Sequence, residues 1–104
     1  MNPSDIDLDS QYLSLVKNIL HQYVPGVEVR VFGSRINKTA KKFSDLDLVI
    51  MTSEPLPLDL LGSLVSAFSE STLPIKVDVL DWSRIDENFQ KIIQKKYVRL
   101  QQLD

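Results

Sequence analysis

The chain has 104 residues, 43% of them hydrophobic and 25% charged, which predicts one compact domain over residues 1–104. A formal net charge of −2 disfavours a nucleic-acid coat or an anionic membrane partner, and the absence of cysteine excludes disulfides and thiolate metal sites. The acidic N-terminus lacks the apolar core of a signal sequence, and no apolar stretch approaches the roughly 20 residues needed to span a bilayer, so we expect a cytoplasmic protein.

The first third of the chain predicts a helix followed by a strand. Residues 1–8 form an acidic lead-in that we expect to be weakly ordered. A helix is predicted to start near Asp9 or Ser10, because apolar residues then recur at helical spacing: Leu8, Tyr12, Leu15, Val16, Ile19, Leu20 and Tyr23. Proline and glycine within residues 24–26 end this helix, and a strand is predicted at residues 27–32.

The remaining chain predicts two more strands and two more helices. Strands are expected at residues 45–52 and 75–80, separated by a helix that ends near residue 70. A last helix is predicted to begin at Ser83, with Asp86 as a capping-box-like partner. The pattern assigns no element to residues 97–104.

These elements predict an α/β (α+β) fold with a small mixed three-stranded sheet and helices packed on one face. The helical connection allows the second and third strands to be parallel, whereas the short connection at residues 33–45 favours an antiparallel first pair. Strand parity separates valines and leucines on one face from charged residues on the other: Glu28, Arg30, Asp45, Asp47, Lys76 and Asp78.

Three acids within strand-like sequence indicate a metal site. Asp45 and Asp47 are two residues apart, so both side chains leave the same face with Cα atoms about 6.5–7 Å apart. Asp78 lies in the middle of the third strand. Most Asp-x-Asp pairs alone are solvated strand starts, but three carboxylates in apolar runs are typical of divalent metal binding. We predict that these acids are catalytic and hold two Mg²⁺ ions.

A small turn before these acids suits phosphate binding. Gly33 lets the backbone turn tightly and approach a ligand, and Ser34 offers a hydroxyl and an N–H group. Arg35 begins a basic stretch that is suited to neutralising a triphosphate. We predict that Gly33, Ser34 and Arg35 bind the nucleotide, although a strand-ending turn and a solvated basic loop would share the same pattern. Arg30 and Lys76 are predicted to pair with the acids.

The stretch VFGSRINKTAKKFSDLDLVI resembles the GS-x10-D-x-D signature of the DNA polymerase β superfamily of nucleotidyltransferases. More narrowly, the chain resembles the minimal nucleotidyltransferases (MNT proteins), which are single small domains. The resemblance implies that the Gly-Ser pair holds phosphates and the three acids hold divalent metal, with Asp78 near the attacking hydroxyl. Many relatives have a glycine where this chain has Lys38.

The resemblance also implies a partner. Minimal nucleotidyltransferases are commonly paired with a small all-helical HEPN protein in a toxin–antitoxin arrangement, where they act by binding or by transferring AMP from ATP to a tyrosine. We therefore expect a Mg²⁺-dependent nucleotidyltransferase that uses ATP and modifies a HEPN-type partner. The alternatives are a non-catalytic antitoxin that acts by contact and an enzyme that modifies a small molecule. Sequence-specific nucleic-acid binding ranks last, because the basic residues cluster near the phosphate turn.

Overall fold

The computed structural model describes residues 5–102 as three helices and a four-stranded sheet. The helices are α1 (Ser10–Tyr23), α2 (Leu58–Ser69) and α3 (Glu87–Lys95), and the strands are β1 (Val29–Phe32), β2 (Leu46–Ile50), β3 (Val77–Asp81) and β4 (Val98–Gln101). The strand order is β3-β2-β1-β4. As predicted, β1 and β2 are antiparallel and β2 and β3 are parallel. No helix within the described range is long and apolar enough to cross a membrane.

The fourth strand corrects the prediction of three. β4 pairs antiparallel with β1 and turns Val98 and Leu100 into the core. The Gln101 side-chain amide donates to the carbonyl oxygen of Val24 at 2.7 Å, which ties β4 to the end of α1. A strand of four residues with only two inward apolar side chains gives a weak sequence signal. The strand conformation of these residues depends on pairing with β1, which is distant in sequence. Residues 103–104 of the unassigned tail lie outside the described residues.

The core lies between one face of the sheet and the helices α1 and α2. The first helix is amphipathic, and its buried residues follow the predicted helical spacing. The alternating side chains of β1 and β2 point inward against them. The fully buried members of this core are Val16, Leu20, Val29, Val31, Leu46, Leu48, Ile50, Leu64 and Val98.

The lead-in before α1 is ordered where the structure describes it. Ile6 is only 5% exposed and belongs to the core, and the Asp7 N–H donates to the Arg35 carbonyl oxygen at 2.7 Å. The prediction of a weakly ordered lead-in is therefore wrong for residues 5–8. Residues 1–4 lie outside the described range.

The last helix starts later than the sequence pattern predicted. Ser83 lies in a short 3₁₀ turn, Trp82–Arg84, and α3 begins after Asp86. The Asp86 carboxylate accepts a hydrogen bond from the Phe89 N–H at 2.8 Å, which makes Asp86 the N-cap. The prediction that made Ser83 the start of the helix is therefore wrong, because Asp86, its predicted capping-box partner, is itself the N-cap.

Part of the polar face is covered by α3. Phe32 is the register partner of Asp47, so both side chains leave the sheet on the same face. The Phe89 ring packs edge-on against Phe32, with centroids 5.9 Å apart and planes at 85°. Val49 and Ile93 are also buried, and neither belongs to the main core. Helices α1 and α2 therefore share one face, as predicted, while α3 lies beside the acids on the other.

Candidate active site

The three predicted carboxylates lie together at one end of the polar face. Asp47 and Asp78 are direct register partners in the parallel strands β2 and β3, and Asp45 immediately precedes β2. The pKa of Asp47 is raised above its ordinary 3.8, first by burial and then by the negative charges of Asp78 and Asp45. This mutual repulsion is the electrostatic signature of a site that a cation would stabilise.

The donor types suit Mg²⁺, although the side chains do not form a ready cage. Within residues 5–102, no group of three or more acidic, histidine or cysteine side chains is arranged to hold an ion. Lys76 Nζ lies 3.3 Å from Asp78 Oδ1, as predicted for an ion pair with a site acid. The lysine side chain is 70% exposed, so this ion pair is weak. The metal-binding role of the three acids remains a prediction.

Gly33 lies directly against Asp47. Its backbone dihedrals, φ 82° and ψ −156°, fall in a region that is essentially restricted to glycine. A Cβ atom at this position would overlap Asp47 Oδ2 and lie 3.2 Å from Asp47 Cγ. Glycine is therefore required by the neighbouring carboxylate as well as by the turn, which joins the predicted phosphate turn and the acids into one site.

Ser34 opens a 3₁₀ turn, Ser34–Ile36, immediately after that glycine. The Asn37 side-chain amide donates to the Gly33 carbonyl oxygen at 2.9 Å and stabilises the turn. Ser34 is half-buried, and its hydroxyl makes no hydrogen bond to any residue in the described part of the chain. The turn is thus stabilised without that hydroxyl, whose role in phosphate binding remains a prediction.

Arg35 is buried beneath the loop rather than aimed at the acids. The residue is 6% exposed, and its guanidinium donates to backbone carbonyl oxygens of Asp7 at 2.8 Å and Ser44 at 2.9 Å. Longer contacts of 3.3 Å reach the carbonyl oxygens of Lys41 and Lys42. These contacts fasten the loop that leads into Asp45, and none of them supports the predicted role of Arg35 in nucleotide binding.

Lys38 adopts the left-handed conformation that glycine favours. Its φ is 59°, the only positive φ at a non-glycine residue within the described range. Lys38 therefore adopts a backbone conformation that a glycine at this position would adopt without steric cost. Lys38 is exposed.

A buried aspartate that sequence reasoning did not single out organises the other end of β3. Asp81 is almost fully buried, and its carboxylate accepts hydrogen bonds from the Thr52 hydroxyl, the Leu56 and Ser83 N–H groups, and Arg84 Nε. Burial alone would raise the pKa of Asp81, but these donors lower it below the ordinary 3.8. The available signal was a fourth acid directly after the third predicted strand, and the role of Asp81 is to hold the loop after β2 in place.

A second charged cluster lies on the polar face of β1 and β4. Arg30 was predicted to pair with an acid of the site, but its Nε lies 2.5 Å from Glu28 Oε2 instead. Arg99 on β4 contacts the same oxygen at 3.2 Å. Burial favours a higher pKa for Glu28, but the two arginines lower it. The sequence pattern indicated Arg99 only as part of a basic helix and tail that could dock a partner, because the strand that carries it was not recognised.

Comparisons with known proteins agree with this geometry. The family model described as polymerase beta, nucleotidyltransferase matches residues 14–104. The probable protein adenylyltransferase MntA of Haemophilus influenzae is 48% identical over 99 residues, covering 95% of this chain and 87% of that protein.

Two solved structures share the fold. The crystal structure of a toxin–antitoxin with AMP-PNP superposes with a TM-score of 0.65 at 18% identity, covering 92% of this chain and 76% of the other. The MntA–HepT toxin–antitoxin structure gives 0.60 at 16% identity, with 90% and 73% covered. At these identities the similarity establishes the fold alone.

The fold and the arrangement of acids therefore define a nucleotidyltransferase. The chain belongs to the polymerase β nucleotidyltransferase family, and its similarity to an MntA protein identifies it as a minimal nucleotidyltransferase.

Proposed function

We propose that this chain is a Mg²⁺-dependent adenylyltransferase of the cytoplasm that transfers AMP from ATP to a tyrosine of a HEPN-type partner, and so acts as an antitoxin. The observation that carries the proposal is the register of Asp47 against Asp78, with Gly33 packed on Asp47. One carboxylate pair and one phosphate turn are thereby brought to the same end of the sheet.

In this proposal the three acids and the Gly33-Ser34 turn have defined roles, and Arg35 has none. Asp45 and Asp47 would hold Mg²⁺, which neutralises triphosphate charge and orients it when bound. Gly33 and Ser34 would receive the phosphates at the start of the 3₁₀ turn. The acceptor oxygen forms a bond to the α-phosphorus, the bond to pyrophosphate breaks, and the hydroxyl proton leaves toward Asp78. Correct positioning supplies much of the rate enhancement in such a transfer.

A protein acceptor is supported by the open position of the acids. Asp45, Asp47 and Asp78 are all partly exposed on the sheet face. Transfer requires an acceptor that is held in line with the phosphate, and a folded partner can bring that rigidity with its own surface. The similarity to a probable protein adenylyltransferase, and the shared fold with a MntA–HepT toxin–antitoxin, favour a partner of the HEPN type.

The experiment is to incubate the purified chain and a HEPN-type partner with Mg²⁺ and ATP labelled at either the α- or the γ-phosphate. Label from α-labelled ATP alone should appear on the partner, together with the mass of AMP and the release of pyrophosphate. Asp47→Asn is the matched control, because it removes the charge while keeping the side-chain volume. Transfer of the γ-label would contradict adenylyl transfer.

If the chain is instead an antitoxin that acts only by contact, the same experiment should give a different result. It would give a stable complex and suppression of the partner without added mass, in both wild type and Asp47→Asn. The absence of both complex and label would instead direct attention to a small-molecule acceptor.

A further inference from the structure

Two arginines on the polar face share a single carboxylate. Arg30 and Arg99 are register partners between β1 and β4, so their side chains leave the sheet side by side. Like charges placed directly opposite each other on a sheet are destabilising. Glu28 Oε2 compensates one charge by contacting both Nε atoms, at 2.5 and 3.2 Å. The cluster as a whole retains one net positive charge.

The terminal nitrogens of both guanidinium groups remain available. Apart from these contacts with Glu28, neither the Arg30 nor the Arg99 side chain makes a hydrogen bond to any residue in the described part of the chain. No buried side-chain nitrogen or oxygen in that part lacks a partner. The terminal nitrogens of Arg30 therefore reach solvent, although its side chain is only 14% exposed; that of Arg99 is 43% exposed. Both groups can donate to an incoming anion.

Arg30 is also held in a fixed orientation. Its guanidinium carbon lies 4.0 Å from the centroid of the Tyr97 ring. Stacking on an aromatic ring and a short contact with Glu28 leave the outer edge of the guanidinium facing a defined direction. Little rotamer entropy would be lost on binding, which favours a planar anion that accepts two parallel hydrogen bonds.

This arginine pair lies on the same face as the acids. Arg30 is the register partner of Val49, and Val49 is two residues from Asp47 on β2. Two residues along a strand correspond to about 7 Å. Val49 itself is buried on the part of this face that α3 covers, so a partner that presents a hydroxyl at Asp78 would contact Arg30 and Arg99 beyond α3.

We propose that Arg30 and Arg99 bind an aspartate or glutamate carboxylate of the partner protein and thereby position its acceptor hydroxyl; this inference rests on the proposed function. One carboxylate matches the single net positive charge and the bidentate geometry of a guanidinium. A polynucleotide is disfavoured, because its phosphates would continue over Asp47 and Asp78, where like charges repel.

The test separates acceptor binding from ATP binding. In AMP transfer to a HEPN-type partner, Arg99→Gln should raise the KM for the partner by about tenfold, because a hydrogen bond between charged groups is lost. The KM for ATP and the melting temperature should stay unchanged, and Arg99→Lys should restore part of the loss. Lys17→Gln is the control, because it removes one positive charge at an exposed position of α1, on the opposite face of the sheet. Arg30→Gln should act in the same direction as Arg99→Gln.

The proposed function and this inference fail in different ways. If the wild type binds the partner without transferring AMP, adenylyl transfer is refuted, and the dissociation constant of the complex replaces the KM as the readout for Arg99→Gln. An unchanged partner KM or dissociation constant in Arg99→Gln, or an equal rise in Lys17→Gln, would overturn the arginine subsite. The same holds if Arg99→Gln raises the KM for ATP instead. Absence of any complex and any transfer would refute both.

Discussion

Replacing Arg35 tests whether this arginine supports the loop or binds the nucleotide. Arg35→Met keeps most of the side-chain length but removes every donor. Two short hydrogen bonds would be lost, to the carbonyl oxygens of Asp7 and Ser44 at 2.8 and 2.9 Å, together with the longer contacts. The residue is 6% exposed, so water replaces these donors poorly. The variant should therefore be strongly destabilised.

The magnitude follows from the two short bonds. Hydrogen bonds that involve a charged group contribute about 1.5–3 kcal/mol each, so the free energy of unfolding should fall by about 3 kcal/mol or more. For a domain of this length, that corresponds to a melting temperature lower by about 12–24 °C. Arg35→Lys should recover only part of the lost stability, because one ammonium group cannot reach the carbonyl oxygens of both Asp7 and Ser44.

Urea denaturation followed by fluorescence of Trp82, the only tryptophan, measures the stability. Steady-state AMP transfer well below the melting temperature then separates the two roles. We expect kcat to fall, because the loop before Asp45 loses its support, with little change in the KM for ATP. A variant with wild-type stability and a strongly raised KM for ATP would refute this reasoning and restore Arg35 to the nucleotide site.

Three further predictions follow from the site and its surroundings. In Asp47→Asn, kcat should fall by at least about 100-fold, since a metal ligand is lost. Because the pKa of Asp47 is raised in the fold, its ionisation opposes folding above pH 3.8, and the metal-free variant should have a higher melting temperature than wild type at pH 7. Thermal melts should show that this difference in melting temperature vanishes below pH 3.8. Gly33→Ala should lower the free energy of unfolding by about 1–3 kcal/mol, whereas Gly62→Ala, whose added methyl meets no atom within 4 Å, should raise it by about 0.5–1 kcal/mol in the same urea titration. Asp81→Asn should destabilise the fold by about 1–3 kcal/mol at pH 7. Because the pKa of Asp81 is lowered, its charge stabilises the protein above pH 3.8, and this stabilisation is lost as the pH falls through the lowered pKa. A stability deficit of the variant that does not shrink as the pH falls below 3.8 would contradict the assignment.

Much of the fold was predictable because its signals are local. Amphipathic spacing located α1 and α2, and alternation located the ends of β1 to β3 to within two residues. The limits of prediction appear where contacts are distant in sequence. β4 is short and needs β1 as a partner, and α3 starts where the Asp86 carboxylate reaches the Phe89 N–H rather than at the first capping residue. Ile6 orders the lead-in only because a core exists beneath it.

The sequence by itself determined the chemistry that the site can offer. A glycine-serine turn at the end of one strand and acids at fixed parity on the next two place these groups on one face, because strand periodicity leaves no alternative. Tertiary structure alone decided which of these groups contact each other. It brought Asp47 opposite Asp78 and against Gly33, buried Arg35 under the loop, and set Arg30 beside Arg99 over Glu28. Register and burial arise from contacts between distant segments, and no local pattern encodes which of several nearby charges will meet.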